Sequence, residues 1–209
     1  LETIDCSESL KETQRNWIGK SVGASVKFKV ITKEDKLHGA VIDVFTTRPD
    51  TIFGATFMTL APEHELVDKI TTLEQRFEVS KYISSTAKKS ERERMADVKN
   101  ISGVFTGAYA KHPFTKEPIP IWIGDYVLAG YGTVMAVPCG DQRDYDFAKN
   151  FDIPINNIFE GIDISEEAYT NKEATIIANS DFINGLGYKE ATEKVISELE
   201  KLGWGEKKI

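Results

Sequence analysis

The 209-residue sequence has no apolar run long enough to cross a membrane and no sign of an export signal. A transmembrane helix needs about 20 consecutive apolar residues, so we expect no membrane association. The first residues, Leu1 to Asp5, lack the basic start and apolar stretch of a secretory signal peptide. These absences predict a cytoplasmic protein. The chain starts on Leu1 rather than methionine, and we expect it to be a fragment of a longer protein.

Cysteine and histidine are scarce, with two and three copies. Cys6 and Cys139 are far apart and match no zinc-ligand spacing, so we expect reduced thiols, with a disulfide as the less favoured alternative. His38, His64 and His112 are scattered along the chain. The sequence therefore predicts no metal site built by the protein.

Positive charge is in short supply, with 26 lysines and arginines against 33 aspartates and glutamates and a net charge of −7. Proteins that bind RNA on their own usually carry a basic surface, because neutralising phosphates supplies most of their affinity. If the substrate is a nucleic acid, we expect this domain to bind only its end. Other domains would then hold the rest.

Three motifs of nucleotide-binding proteins and hydrolases are matched only in part or outside their required context. Residues 18–21 (IGKS) end like a phosphate-binding P-loop, but Gln14 occupies the position that requires the first glycine. Residues 19–23 (GKSVG) match G-x-S-x-G, but they lead into a predicted strand instead of joining a strand to a helix, so a serine esterase of the α/β-hydrolase kind has no support. Gly130 and Gly132 lack the third glycine of a dinucleotide-binding fold.

The sequence does contain a series of strand-like segments. Alternating or continuous apolar residues predict strands at 22–31, 40–45, 56–60, 104–106, 119–123, 126–128 and 133–137. Helical spacing predicts helices at 63–70, at 73–95, from the N-cap Asp141 onwards, and at 188–202 before Gly203. The charged segment 88–94 is interpreted as a solvated helix face. Because strands mostly follow strands, we predict a mixed α/β fold with a strand-rich, barrel-like core and peripheral helices.

Two segments concentrate polar groups at the ends of predicted strands. Residues 46–51 (TTRPDT) place hydroxyls, a guanidinium and a carboxylate at a strand-to-turn junction, and residues 137–144 (VPCGDQRD) lead from a strand into a helix. Asp141 and Asp144 are three residues apart, so they project on the same side if both are helical. Each segment alone also fits a structural role, as a proline turn or as an N-capped helix with an acidic first turn. The residue types leave both interpretations open.

Both segments resemble signatures of one family. Residues 45–57 (FTTRPDTIFGATF) resemble the threonine-rich signature of the editing insertion, connective polypeptide 1, of bacterial-type leucyl-tRNA synthetases. Residues 134–148 (VMAVPCGDQRDYDFA) resemble the second signature of that insertion. Residues 14–21 and 202–208 are similar to the segments by which the insertion leaves and rejoins the catalytic domain. The insertions that edit for isoleucine and valine carry different versions of both signatures.

The resemblance implies that residues 1–209 form a single editing domain of the class I synthetase editing-domain fold. It would be excised from a larger synthetase, with 1–21 and 203–209 as linker ends to the catalytic domain. The ATP-binding signatures of the parent are absent, so this fragment would not aminoacylate. Editing would need no cofactor, because ATP and Mg²⁺ serve the catalytic domain. The implied partners of this monomeric domain are that catalytic domain and the 3′-terminal adenosine of tRNA(Leu) with its attached amino acid.

The implied function is post-transfer editing within leucine–tRNA ligase. An aliphatic pocket separates side chains that differ by one methylene by only about 1–3 kcal/mol, so a second site removes errors by hydrolysis. The substrate would be the ester of tRNA(Leu) with norvaline, isoleucine or a similar amino acid. Two alternatives stay open: a non-catalytic module that binds the tRNA 3′ end, and editing for isoleucine or valine.

The resemblance also implies catalytic roles. Asp144 would bind the α-ammonium of the amino acid in a charge-assisted contact, and Asp141 would support it or orient water. Thr46, Thr47 and Arg48 would hold the ribose and ester and stabilise charge that develops on the carbonyl oxygen. No strong protein base is evident, so positioning of water, helped by a tRNA hydroxyl, would dominate.

A second set of residues would bind the substrate. Thr51 would exclude leucine, because a β-branched side chain is stiff. Met135 and Tyr131 would line the adenosine pocket, and Val137 belongs to the same substrate-binding set. The chain departs from the family's pattern at two places. Gly140 replaces the usual histidine, which would widen the pocket mouth, and the loop after Tyr131 is two residues shorter.

Overall fold

The computed structural model describes residues 7, 11, 21–32, 40–96, 100–130, 132–171 and 175–208. Cys6, His38 and Tyr131 lie outside these residues, as does most of the proposed linker 1–21. Within the described ranges, no helix is long and apolar enough to span a lipid bilayer.

A mixed seven-stranded sheet forms the centre of the molecule. Its strands run in the order β2-β1-β4-β5-β3-β6, and β7 pairs with β1. The β3–β5 ladder is parallel and the other ladders are antiparallel. The strand bounds are β1 Gly23–Ile31, β2 Val41–Thr46, β3 Phe57–Leu60, β4 Gly103–Lys111, β5 Pro118–Gly124, β6 Thr133–Ala136 and β7 Gly205–Lys208. The mixed, strand-rich α/β architecture predicted from the sequence is confirmed.

The sheet curves without closing into a full barrel. Strands β2 and β6 stand at opposite ends of the strand order, yet they lie beside each other in space. Among the described residues, no hydrogen-bonded ladder joins these two strands. The core is therefore barrel-like but open along one side, and a gap remains between its first and last strands.

The helices surround this sheet; the helix Tyr188–Leu202 has the bounds predicted from the sequence, whereas the helical segments between residues 63 and 96 are shorter than predicted. They are α1 Val67–Ile70, α2 Arg76–Thr86, α3 Glu91–Ala96, α4 Gln142–Asn150 and α5 Tyr188–Leu202, with two 3-10 helices, Pro49–Gly54 and Asp181–Ile183. The predicted helix 63–70 is helical only in its last turn, and the predicted helix 73–95 is divided into α2 and α3. The division follows from a capping box, in which Ser90 N donates to Glu93 Oε2 at 2.7 Å and Glu93 N donates to Ser90 Oγ at 3.3 Å.

The predicted strand 126–128 is wrong, because this segment is a turn closed by Val127 N donating to Gly124 O at 3.2 Å. Arg94 accounts for the turn. Its Nε and Nη2 donate to the carbonyl oxygens of Asp125 and Val127 at 2.7 and 2.8 Å, acceptors that a strand ladder would otherwise use. Arg94 Nη1 also bonds Glu63 at 2.6 Å, and its side chain is buried. The interpretation of 88–94 as a fully solvated face is therefore wrong at its last residue.

Two apolar clusters hold the polar segments in place. Val26 and Phe28 of β1 belong to the larger cluster together with Val195 and Leu199 of α5, whose apolar stripe follows helical spacing. The smaller cluster attaches α4 to the opposite side of the sheet.

In that smaller cluster, Phe147 of α4 stacks on Phe57 of β3 with ring centroids 5.0 Å apart. Phe151, the residue after the end of α4, packs against Phe147 and Trp122 with centroids 4.6 and 4.7 Å apart. Aromatic contacts of this kind contribute beyond their buried area. These contacts fix α4 relative to β3 and β5.

The substitution Gly23→Ala tests the close approach of β1 to the end of β2. A Cβ at this position would lie 2.1 Å from the carbonyl oxygen of Thr46, so the two strands would have to separate. We expect the free energy of unfolding to fall by about 1–3 kcal/mol, measured by urea denaturation. Gly130→Ala, where a Cβ meets no atom within 4 Å, is the matched control. A Gly23→Ala protein as stable as wild type would contradict the close approach.

Candidate functional site

A cavity of about 460 Å³ occupies the gap between β2 and β6. The 3-10 helix Pro49–Gly54 and the start of α4 complete its walls. Its lining residues are Ser21, Phe45, Thr46, Thr47, Arg48, Thr51, Val134, Met135, Val137, Gly140, Asp141 and Asp144. The structure therefore brings together every predicted site residue except Tyr131, which lies outside the described residues.

The first wall is a proline turn whose hydroxyls are largely tied to the backbone. Pro49 starts the 3-10 helix, since its fixed φ suits the first helical position. Arg48 N donates to Thr46 Oγ1 at 3.0 Å, and Thr51 Oγ1 donates to Arg48 O at 2.9 Å. Thr51 is 3% exposed, so its bonded hydroxyl fixes a buried and stiff side chain. Thr47, in contrast, is exposed at the rim of the cavity.

Arg48 is held from two sides by residues that sequence reasoning gave no role. Its Nε and Nη2 donate to the two carboxylate oxygens of Asp50 at 3.0 and 2.8 Å, a bidentate pair with a fully buried carboxylate. Its guanidinium carbon lies 5.1 Å from the ring centroid of Tyr188, the first residue of α5. Nη1 makes no hydrogen bond to any described residue. The guanidinium therefore has a fixed position and a nitrogen free to donate.

His112 supports this wall from below and takes no part in the cavity. Its Nδ1 accepts hydrogen bonds from Phe114 N and Thr115 N at 3.1 Å, so the proton resides on Nε2. Nε2 then donates to Ile52 O of the 3-10 helix at 3.0 Å. Burial lowers the pKa of His112, which keeps the ring neutral. No sequence motif pointed to this anchoring role.

The second wall is the N-terminus of α4. Asp141 is its N-cap, with Oδ1 accepting from Arg143 N at 2.9 Å and from Asp144 N at 3.1 Å. The N-cap predicted at Asp141 is confirmed. Asp141 has extended backbone angles, so it lies outside the helix, and the condition for two helical aspartates on one side is not met. Both carboxylates nevertheless line the cavity, Asp141 in an exposed position and Asp144 in a buried one.

Asp144 is the most perturbed acid of the site. Its Oδ2 accepts from Val137 N at 2.8 Å, and Tyr126 Oη donates to its Oδ1 at 3.5 Å. Burial, reinforced by the nearby Asp141, raises the pKa of the Asp144 carboxyl to about 7. An incoming cation would favour the charged form, so Asp144 is poised to bind a positively charged group. Sequence reasoning missed Tyr126, which was assigned to a strand.

The remaining lining is apolar or small. Met135 and Val137 are both 7% exposed and form an apolar surface between the two polar walls. Gly140 leaves open space at the rim, since a Cβ there would only reach ordinary contact with Phe159 at 3.4 Å. Cys139 behind it is buried, and burial raises the pKa of its thiol to about 11, which makes it unreactive.

The cavity therefore offers a buried carboxylate for a cation, an arginine with hydroxyls for a polar oxygen, and an apolar surface. His64 and His112 line other parts of the molecule. Among the residues that the structure describes, no group of three or more histidine, cysteine or acidic side chains could hold a metal ion.

Comparison with known proteins places most of the chain in one family. A sequence profile described as "Leucyl-tRNA synthetase, editing domain" matches residues 15–200. The leucine–tRNA ligase of Christiangramia forsetii is 70% identical over 207 residues, 98% of this chain and 21% of that protein. The corresponding ligases of Flavobacterium johnsoniae and Amoebophilus asiaticus are 67% and 51% identical over the whole chain and 22% of their own length.

A solved structure agrees with this result. The chain is similar to the LeuRS in the crystal structure of the ternary complex of Agrobacterium radiobacter K84 agnB2 LeuRS, tRNA and LeuAMS. The TM-score is 0.74 at 32% identity, over 97% of this chain and 22% of that one. The chain thus spans about a fifth of the length of these relatives.

The substitution Asp144→Asn tests the burial of this carboxyl. Between the ordinary pKa of 3.8 and about 7, the folded chain holds a proton that the unfolded chain releases. The stability of the wild type therefore falls as pH rises through this window, whereas asparagine cannot ionise. We expect the variant to gain up to about 4 kcal/mol over wild type between pH 4 and pH 8, measured by denaturant unfolding. With Asp146→Asn as control, a pH-independent difference would rule out the raised pKa.

Proposed function

The chain belongs to the editing-domain family of leucyl-tRNA synthetases, and from that premise we propose that it hydrolyses the ester between tRNA(Leu) and a wrongly attached amino acid. The observation that carries the proposal is the single cavity in which the buried Asp144 carboxylate and the Thr46–Thr51 turn face a common space. An aminoacyl ester presents an ammonium and a carbonyl oxygen a few bonds apart, and these two walls are complementary to them. The proposed substrates are norvalyl- and isoleucyl-type esters at the terminal adenosine.

Asp144 would recognise the α-ammonium of the amino acid. Binding a cation lowers the pKa of a nearby carboxyl, so the ammonium would drive Asp144 fully into its charged form. The contact would form in a buried position, 6% exposed, where charge-assisted hydrogen bonds are strong. Asp141, exposed at the rim, would orient water beside it.

The opposite wall would hold the ester. Thr46 Oγ1 accepts the bond from Arg48 N, which leaves the proton of its own hydroxyl free to donate. Arg48 offers Nη1, and Thr47 lies at the rim within the same lining. Donors fixed before the substrate arrives stabilise charge on the carbonyl oxygen without reorganisation.

The apolar part of the lining would receive the adenosine and select the amino acid. Met135 and Val137 provide apolar surface for the base, and Tyr131 is assigned to the same pocket through the resemblance. Thr51, with its hydroxyl bonded to Arg48 O, would act as a rigid stop for the branched side chain of leucine.

Water would be activated by position rather than by a protein base. Neither described histidine lines the cavity. A water fixed near the ester, with a ribose hydroxyl of the tRNA to pass its proton, would be sufficient. Editing would need no cofactor, since ATP and Mg²⁺ would serve the catalytic domain of the parent ligase.

The proposed partners follow from the same premise. The domain would act as a monomeric unit within the cytoplasmic ligase, joined to the catalytic domain through residues 1–21 and 203–209. With a net charge of −7, it would hold only the tRNA end, while other parts of the ligase hold the rest.

Asp144→Ala in the full-length ligase should lower kcat/KM for deacylation of norvalyl-tRNA(Leu) by about 100-fold, because the ammonium loses a charge-assisted contact. Asp144→Asn should lose nearly as much, and Asp146→Ala, on the same helix but outside the cavity, should retain full activity. Leucylation of tRNA should be unchanged and serves as the folding control. Unchanged deacylation by Asp144→Ala would refute this role. A wild-type ligase that deacylates nothing would indicate a binding module instead.

Thr51→Ala should allow the ligase to hydrolyse correctly charged leucyl-tRNA(Leu). Removing the stop admits one branch of the leucine side chain, so we expect a rise of about 10–200-fold in the hydrolysis rate. Thr56→Ala, a buried threonine outside the cavity, is the matched control. If Thr51→Ala leaves leucyl-tRNA as stable as the control does, Thr51 is not the exclusion element.

A further inference from the structure

We infer that Tyr126 is a positioning residue for the reaction, which orients the Asp144 carboxyl and favours its ionised form through a hydrogen-bond chain that starts at Thr59. This inference rests on the proposed function, because it assigns Tyr126 a task only if Asp144 binds the substrate ammonium. Tyr126 lies in neither of the two polar segments. It acts from the turn after β5, outside the set of residues that line the cavity.

The contacts form a continuous chain across three elements. The Tyr126 hydroxyl lies 3.0 Å from Thr59 Oγ1 of β3 and 3.5 Å from Asp144 Oδ1 of α4. The second carboxylate oxygen of Asp144 accepts from Val137 N at 2.8 Å. The two oxygens are thus held from different directions by different parts of the fold. Only one of the two donors is a side chain, so only that donor can be removed by substitution.

A glycine at the end of β5 leaves space for the Tyr126 ring. Gly124 ends β5, and a Cβ there would lie 2.7 Å from Tyr126 Cε1 and 2.9 Å from Thr59 Cγ2. Only glycine leaves room for the ring to cross the strand at this point. On its other side the ring packs against Phe147 of α4, with centroids 5.6 Å apart. The phenol therefore has a fixed approach to the carboxylate.

The direction of the hydrogen bonds between Thr59, Tyr126 and Asp144 can change with the charge of Asp144. Burial raises the pKa of Tyr126 well above its ordinary value, so the phenol keeps its proton at neutral pH. When Asp144 is ionised, Tyr126 donates to Oδ1 and Thr59 donates to the phenol oxygen. When Asp144 is protonated, the carboxyl donates to the phenol oxygen and Tyr126 donates to Thr59. Thr59 is fully buried, so solvent does not reach its hydroxyl.

Other charges around Asp144 act in both directions. The nearby Asp141 opposes ionisation and Arg143 favours it, both from the start of the same helix. Across the cavity lies Arg48, already paired with Asp50, and the Cys139 thiol nearby stays protonated. Tyr126 is therefore the one uncharged side chain whose hydrogen bond selectively favours the carboxylate among the described contacts of Asp144.

The deciding experiment compares Tyr126→Phe with wild type in the full-length ligase across pH 5.5 to 8.5. Tyr126→Phe removes a hydrogen-bond donor that favours the charged form of Asp144. The pH midpoint at which kcat/KM for norvalyl-tRNA(Leu) deacylation falls on the acid side (the acid limb) should therefore move to higher pH by about 0.5–1 unit. The ratio of variant to wild type cancels titration of the substrate's own amine. This ratio should be lowest at acid pH, about 3–10-fold below one, and should approach one at high pH.

Two further variants separate positioning from general damage. Tyr145 lies on the same helix as Asp144, and its hydroxyl donates to Ser165 O at 2.6 Å, away from Asp144. Tyr145→Phe should therefore leave the acid limb at the wild-type pH. Thr59→Val leaves Asp144 as the only acceptor near the Tyr126 proton, so it should shift the limb to lower pH. A variant-to-wild-type ratio for Tyr126→Phe that is flat with pH would overturn the inference. A Thr59→Val shift in the same direction as Tyr126→Phe would overturn it as well.

A measurement independent of catalysis distinguishes this inference from the proposed function. Carboxyl ¹³C NMR on the 209-residue chain reports the Asp144 titration directly, with Asp144→Asn to assign the signal. Tyr126→Phe should raise the midpoint by the same 0.5–1 unit, about the loss of one hydrogen bond to the charged form. An unchanged midpoint refutes the inference even where deacylation occurs. A shifted midpoint together with a ligase that shows no deacylation supports the Thr59–Tyr126–Asp144 hydrogen bonds and refutes the proposed function.

Discussion

Strands β2 and β6 lie beside each other without sharing hydrogen bonds, and the cavity fills the space that a ladder would occupy. Edge strands expose unpaired backbone groups, which proteins usually cover or charge. Here the two edges are separated by the Thr46–Thr51 turn on one side and by the start of α4 on the other. The polar segments can meet only because the sheet curves far enough to bring its ends together and then stops short of closing.

The two walls of this gap limit unpaired charge in different ways. Arg48 is neutralised by the fully buried Asp50 and fixed against Tyr188, so its position does not depend on a ligand. Asp144 differs, since burial raises its pKa to about 7 and no described residue forms a salt bridge with it. One wall is therefore preorganised, and the other is left to be completed by a cation. A buried charge without a partner is costly, and this cost explains the asymmetry.

The sequence allowed the strand-rich α/β fold and the N-cap at Asp141 to be predicted, because alternation and capping are local. It could not show from residue types that segments some ninety positions apart share one cavity, and only the resemblance to a family suggested it. Tyr126, Tyr188 and His112 were missed because their contacts depend on tertiary packing. The segment 126–128 was predicted as a strand because the buried Arg94, which binds the carbonyls of this turn, lies on a distant helix.

The buried state of Asp144 has a consequence for which esters are attacked. A carboxylate at 6% exposure is stabilised most strongly by a group that brings a full positive charge. Under the proposed function, an α-amine that has been acylated, as at the end of a growing peptide, carries no such charge. It would not supply the positive charge that drives Asp144 into its ionised form. The same residue that admits a mischarged amino acid would then protect peptidyl-tRNA, so the domain would distinguish a loading error from a translation intermediate by the state of one nitrogen.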